Sequence, residues 1–294
     1  VVGKEIFPKC GEITPDILRK SFGLSALNKD DSMAMDLNVN IPVRHPSLCP
    51  GCSHRAIFTA LKKLKVYVSG DIGCYTLAAL SPLESLHSCI CMGASIGMAH
   101  GIEKAMGPES KGKVVAVIGD STFFHSGITP LIDIVYNKGT STVIILDNRT
   151  TAMTGGQQHP GTGKTAKNEE TMRIDIEAIV RAIGIKRVRK ISSYNISEAE
   201  EIIKDEIYAD EPSVIIVEMP CVLFENIWFD KMTVIKDKCT GCAVCLKAGC
   251  IAMEFKIDAD GSRYVTIDPN LCRGCTVCQQ LCKFDAIQVW KRSH

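Results

Sequence analysis

Uninterrupted apolar, β-branched runs occupy residues 113–119, 142–146 and 214–218, and the first two end in Gly-Asp and Asp-Asn. Between and around them, apolar positions recur at helical spacing over residues 53–64, 93–106, 122–136, 174–183 and 197–208. This alternation predicts an α/β fold with a doubly wound parallel sheet. Residues 186–190 alternate basic side chains with valine, the pattern of an exposed edge strand with a solvated face. Residues 154–170, rich in Gly, Thr and Lys, lack periodicity and read as a loop over the ligand-binding edge. Near the end, short β-type runs at 232–235, 252–257, 264–267 and 286–290 flank the turn signal Asp260-Gly261. Residues 1–45 carry one short helical stretch, 14–22, and otherwise read as a linker. The expected divisions are therefore 1–45, an α/β domain over 46–230, and a small α+β domain over 231–294.

Composition narrows the class. A chain of 294 residues that is 46% hydrophobic and 23% charged is long enough for one sizeable domain and an appendage. The formal charge of +1 gives no support for a nucleic-acid partner. No stretch approaches the ~20 apolar residues of a membrane span, and no leader pattern stands at the start, so a cytoplasmic protein is expected. The chain opens Val-Val-Gly rather than on methionine and reads like the C-terminal portion of something longer. Its 15 cysteines, without secretory features, favour metal binding over disulfides.

The cysteine spacing sharpens this. CTGCAVCLKAGC from Cys239 and CRGCTVCQQLC from Cys272 repeat the triplet C-x2-C-x2-C at an interval of 33 residues, each followed by a fourth cysteine. Three thiolates on a tight loop wrap three corners of an iron–sulfur cubane, and the fourth ligand crosses from the other half. Cys239, Cys242, Cys245 and Cys282 are accordingly assigned to one 4Fe-4S cluster, and Cys272, Cys275, Cys278 and Cys250 to a second. The outline is that of a two-cluster bacterial ferredoxin. Structural zinc is the competing reading, but neither half offers a histidine. Ile251 and Lys283 stand where a proline is usual, and the first half has one extra intervening residue.

Upstream, the run 113–120, the helical stretch 122–136 and the run 142–148 form a βαβ unit with polar residues at both strand ends, the ligand-binding edge of a parallel sheet. Asp120 and Asn148, 28 positions apart, are oxygen ligands suited to Mg2+, and the N–H groups near Ser121 suit a diphosphate. Gly119-Asp120-Ser121 and Asp147-Asn148 resemble the thiamine-diphosphate enzyme signature, with serine for its last glycine and aspartate for its first asparagine. That resemblance implies Mg2+ held by the Asp120 and Asn148 side chains and by the Thr150 carbonyl.

TTAMTGGQ at 150–157 and CPGCSH at 49–54 extend the likeness. Residues 40–294 are similar to the 2-oxoacid:ferredoxin oxidoreductases, and within them to the large subunits of indolepyruvate:ferredoxin oxidoreductase. The resemblance implies oxidative decarboxylation of a 2-oxoacid, such as an arylpyruvate, to an acyl-CoA, with electrons passed to ferredoxin. It implies a third 4Fe-4S cluster beside thiamine, on Cys49, Cys52, Cys74 and Cys221, although four buried structural thiols are the plainer reading of those residues. Cys52, His54, Gly73, Met92 and Gly93 join Gly119, Asp120, Ser121, Asn148 and Thr150 as candidate cofactor contacts. Cys10, Cys89 and Cys91 are expected to be small core or linker residues, and His87 and His125 to be packing residues near cofactor loops. The glutamate that activates thiamine in this family belongs to a pyrimidine-binding domain, so no catalytic acid or base is named. A further segment or chain, a smaller oxidoreductase subunit, ferredoxin and coenzyme A are the implied partners. A pyruvate- or 2-oxoglutarate-specific relative, and an electron-transfer subunit that keeps the thiamine fold only as scaffold, are the alternatives.

Overall fold

The structure, a computed structural model, describes residues 5–25, 45–192 and 194–290 and divides into two units, Val1–His45 and Pro46–His294. In the first, α1 (Pro15–Ser21) starts on a proline and is capped by the Thr14 side chain, which accepts the Ile17 N–H at 3.3 Å. Of the linker expected over 1–45, residues 1–4 and 26–44 lie outside the described residues.

The second unit is built on a six-stranded, wholly parallel sheet. Its strands are β1 (Tyr67–Gly70), β2 (Ser88–Cys89), β3 (Val114–Gly119), β4 (Thr142–Asp147), β5 (Arg187–Ser192) and β6 (Ser213–Glu218), in the order β2-β1-β3-β4-β6-β5. Successive residues of the central strands enter different cores. Val115, Val117, Ile144, Leu146, Ile215 and Val217 pack under α2 (His54–Leu64) and α7 (Ile196–Ile207). Ala116, Ile118, Val143, Ile145, Val214 and Ile216 pack under α3 (Ala94–Met106), α5 (Ile128–Tyr136) and α6 (Ile176–Ile183). Because both faces are covered, these strands read as continuous apolar runs instead of alternating ones.

Three details add to or depart from the sequence expectation. The helix expected over 122–136 starts as α4 (Asp120–Thr122), widens into a π turn at Phe123–Gly127 and only then continues as α5. The basic run does form the edge strand β5, but its side chains are tied down. Arg187 Nε is 2.8 Å from the buried Glu206 carboxylate, and Lys190 lies 2.9 Å from Glu177 and 3.3 Å from Glu218. Cys89 and Cys91 are exposed rather than core residues, because β2 is a two-residue strand at the other edge and buries little. Cys10 is exposed as well.

Residues beyond 230 form two antiparallel pairs: β7 (Met232–Val234) with β10 (Ile287–Val289), and β8 (Met253–Ile257) with β9 (Arg263–Ile267). The first strand thus pairs with the last and the two middle strands pair with each other, around a core of Met232, Cys245, Val265, Cys272 and Ile287. Helix α8 (Val277–Leu281) carries Cys278, the last cysteine of the second triplet. Ala248 and Val277 also belong to the core under α2, so this region and the large sheet share apolar packing. No helix among the described residues is long and apolar enough to cross a membrane.

Candidate functional site

The C-terminal ends of β1, β3 and β4 open onto one pocket. Its lining includes His54, Gly73, Cys74, Tyr75, Met92, Gly119, Asp120, Ser121, Asn148 and Thr150. Asp120 is buried; its Oδ1 accepts the Ser121 N–H at 2.8 Å and its Oδ2 the Arg149 N–H at 2.8 Å. Arg149 adopts φ +59°, which curls the chain after β4 around Asp120. Asn148 Oδ1 accepts the Thr150 N–H at 3.3 Å, and Thr151 Oγ1 donates to Ser121 Oγ at 2.8 Å, joining the two strand ends. Burial and the neighbouring Asp120 carboxylate push the Asp147 carboxyl up to about 6, and Arg173, 3.1 Å away, offsets part of that rise. The buried Asp120 carboxylate and Asn148 line the pocket together, and their side-chain oxygens match the donors of a hard divalent ion.

Several residues at this edge carry no sequence signal. His159, from the aperiodic loop, returns to the pocket: its Nδ1 accepts the Gly161 N–H at 3.2 Å, which leaves the proton on Nε2. Nε2 stands 3.1 Å from Asp120 Oδ2 but out of line with it, so this buried nitrogen has no hydrogen-bond partner. Asp71, fully buried at the end of β1, accepts the N–H groups of Ile72 at 2.8 Å, Gly93 at 2.9 Å and Ser95 at 3.0 Å, pinning the start of α3. The Tyr75 hydroxyl donates to the Ile72 carbonyl and accepts the Gly119 N–H, both at 3.0 Å. Its ring explains two glycines: a Cβ on Gly73 would meet Tyr75 Cε1 at 2.4 Å, and one on Gly119 at 3.0 Å.

Gly93 is thus held by Asp71 and does not line this pocket. His87 accepts the Val68 N–H at 3.0 Å and stacks on Tyr67, and the exposed His125 contacts Ser126 at 3.1 Å; both are local packing contacts. His54 is buried at the start of α2, where burial lowers its imidazole to about 4, so it is neutral at physiological pH.

A second cavity adjoins the first and is lined by Cys49, Cys52, Cys74 and Cys221 together with Leu48, Val222 and Phe224. His54, Cys74, Asn148, Ala152 and Met153 line both. Cys52 belongs to this cavity and not to the pocket over Asp120. The wall between them is fixed by the backbone: the Asn148 carbonyl accepts the Cys221 N–H at 2.9 Å, and the Asp147 carbonyl that of Met219 at 3.0 Å. Burial pushes the Cys52 thiol up to about 12 and raises Cys49 and Cys74, each further raised by neighbouring cysteines.

Two more cavities lie beyond residue 230. One is lined by Cys239, Cys242, Cys245 and Cys282, the other by Cys250, Cys272, Cys275 and Cys278, each set taking one cysteine from the other half. Gly241 and Gly274, at the same place in their triplets, take φ +66° and +75°. Each faces backbone too closely for a Cβ: Arg263 O would lie at 2.6 Å and Asp230 O at 2.3 Å. Burial pushes the Cys245 thiol up to about 11 and Cys278 well above its ordinary range. Such thiols give up their protons only to a strongly cationic group, which a bound metal centre supplies. Among the described residues, no three His, Cys, Asp or Glu side chains converge on a single-ion site.

The model of the thiamine pyrophosphate enzyme C-terminal TPP-binding domain matches residues 71–217, from Asp71 to the end of β6. The chain belongs to that family. Within it, this TPP-binding chain is similar to the indolepyruvate oxidoreductase subunit IorA of Methanothermobacter thermautotrophicus, 40% identical over 96% of this chain and 46% of that one. The subunit of the same name from Thermococcus kodakarensis is 36% identical over 98% and 48%. The chain therefore spans about half the length of these curated relatives. A solved 2-oxoglutarate:ferredoxin oxidoreductase from Magnetococcus marinus aligns with 62% of this chain and 66% of its own, with a TM-score of 0.49 and 19% identity.

Proposed function

We propose that this chain is the electron-handling part of a 2-oxoacid:ferredoxin oxidoreductase. Thiamine diphosphate and Mg2+ bind in the pocket under Asp120 and Asn148. A 4Fe-4S cluster sits beside it on Cys49, Cys52, Cys74 and Cys221, and a ferredoxin-like domain over 231–294 carries two more. The observation that supports this best is the shared wall: His54, Cys74 and Asn148 face both the pocket and the four-cysteine cavity.

In this reading the side chains of Asp120 and Asn148 and the carbonyl of Thr150 hold Mg2+ against the diphosphate, with the Ser121 and Thr151 hydroxyls at its flank. Bound thiamine supplies the carbon nucleophile and the electron sink for decarboxylation. Tyr75, Met92 and the 150–154 segment would exclude water from the bound cofactor, and burial keeps His54 neutral in the pocket wall. The family likeness supports an arylpyruvate such as indolepyruvate as substrate and coenzyme A as acyl acceptor. A further segment or partner chain completes the pyrimidine-binding side, and a smaller subunit and external ferredoxin complete the enzyme.

The test is anaerobic purification of the complex with analysis of iron and thiamine. About twelve irons per chain are expected, falling to about eight in Cys74→Ser. About eight in the unaltered protein, unchanged by Cys74→Ser, would sink the third cluster. Reduction of a viologen by indolepyruvate, phenylpyruvate or pyruvate identifies the substrate, and bound thiamine without any such activity would favour the scaffold reading.

A further inference from the structure

Among the described residues Arg55 is the most deeply buried lysine or arginine, 1% exposed, and it holds the wrong sign for its place. As the second residue of α2 it sits at the positive end of the helix dipole, where anions are favoured and cations are not. Its partners are three backbone carbonyls, Ala248 O from Nη1 at 2.5 Å and Leu48 O and Cys49 O from Nη2 at 2.7 and 3.0 Å, while its Nε is buried without a partner. Carbonyl dipoles alone compensate a buried guanidinium poorly, so the site calls for negative charge nearby.

Where that charge would stand follows from the same bonds. Leu48 and Cys49 line the cavity of Cys49, Cys52, Cys74 and Cys221. Ala248 and Arg55 itself line the cavity of Cys250, Cys272, Cys275 and Cys278. The guanidinium therefore bridges the walls of two neighbouring cysteine cavities, that of Cys49 and Cys52 on one side and that of Cys275 on the other. It does not line the third cavity, of Cys239, Cys242, Cys245 and Cys282.

We propose that Arg55 is the shared counter-charge of the cluster beside thiamine and its nearest neighbour in the C-terminal region, raising the reduction potential of both and leaving the third cluster alone. The inference rests on the three-cluster reading above. A cubane ligated by four thiolates carries net negative charge and gains one more when reduced, so a fixed cation between two of them favours the reduced form of each. One electron leaves the inner cluster, which is oxidised, and enters the next, which is reduced; no bond breaks and Arg55 keeps its protons throughout. Because both potentials rise together, Arg55 eases electron entry without setting the direction of transfer.

The experiment is an EPR-monitored redox titration of the anaerobically purified holoenzyme carrying Arg55→Gln or Arg55→Lys, with iron analysis. In Arg55→Gln, two of the three clusters are expected to shift to more negative potential and the third to keep its value. Arg55→Lys, which preserves charge, is expected to bring both back towards the wild-type values. If Arg55→Gln loses iron, Arg55→Lys alone decides, because a lysine variant whose two potentials fall would overturn the proposal. Twelve irons with no potential moved, or all three moved equally, would overturn it while leaving the three-cluster reading intact. About eight irons in the unaltered protein would remove both.

Discussion

At the scale of single residues, the pocket rests on contacts between positions far apart in sequence. His159 brings an unpartnered Nε2–H to within 3.1 Å of Asp120 from a loop with no periodic pattern. His159→Ala is expected to weaken Mg2+-dependent thiamine diphosphate binding, by up to about 10- to 100-fold if the unpartnered Nε2–H turns onto Asp120 or the diphosphate when they bind. Asp120→Asn should abolish that binding and leave the iron content unchanged; isothermal titration and iron analysis read the two effects. Gly73→Ala should destabilise the fold by about 1–3 kcal/mol in urea denaturation, because the new methyl would overlap the Tyr75 ring. Asp120, Asn148 and the cysteines were legible because their spacing carries chemistry. Asp71, Tyr75, Arg55 and His159 were not, since an aspartate capping a helix 22 residues away looks in sequence like any other turn residue.

At the scale of elements, β3, β4 and β6 announced themselves because burial on both faces leaves no polar position in the run. The two-residue β2 had too little pattern to read. The π turn at Phe123–Gly127 was hidden as well, since it keeps the apolar content of a helix and changes only its winding. Near the opposite end of the sheet, Glu103 of α3 joins that helix to the start of β4: Glu103 Oε1 accepts the Thr140 N–H at 3.0 Å and Oε2 accepts the Ser141 hydroxyl. Burial pushes its carboxyl up, but these hydrogen bonds outweigh burial and hold it below the ordinary carboxylate range. A lowered pKa in the folded state adds stability that is present in full above the unfolded value and is lost as pH falls through the folded one. Glu103→Gln should therefore flatten the acid side of the stability–pH profile, and Glu103→Ala should cost about 1–3 kcal/mol at neutral pH by leaving buried donors unpaired. Denaturant midpoints measured across the pH series test both.

At the scale of the whole molecule, the cysteine-rich region is stitched to the large sheet. Tyr194 Oη donates to the Gly51 carbonyl at 2.7 Å, Gln280 donates to the Tyr194 carbonyl at 2.7 Å and accepts the Ile196 N–H at 2.9 Å, and Ala248 and Val277 enter the core under α2. Removing iron should then lower the melting temperature of the helical signal as a whole, by roughly 2–4 °C for each kcal/mol lost, instead of releasing the C-terminal region alone. Circular dichroism before and after chelation distinguishes the two. Asn148 extends this dependence to the assembly of the enzyme. One end of the residue faces the diphosphate pocket and the other anchors the Cys221 backbone, so iron loading at Cys221 would stiffen half of the vitamin's seat in advance. If the proposed cluster loads at Cys221, maturation is expected to run metal centre first and vitamin second, and chains made under iron limitation should take up thiamine diphosphate poorly even with Asp120 and Asn148 intact.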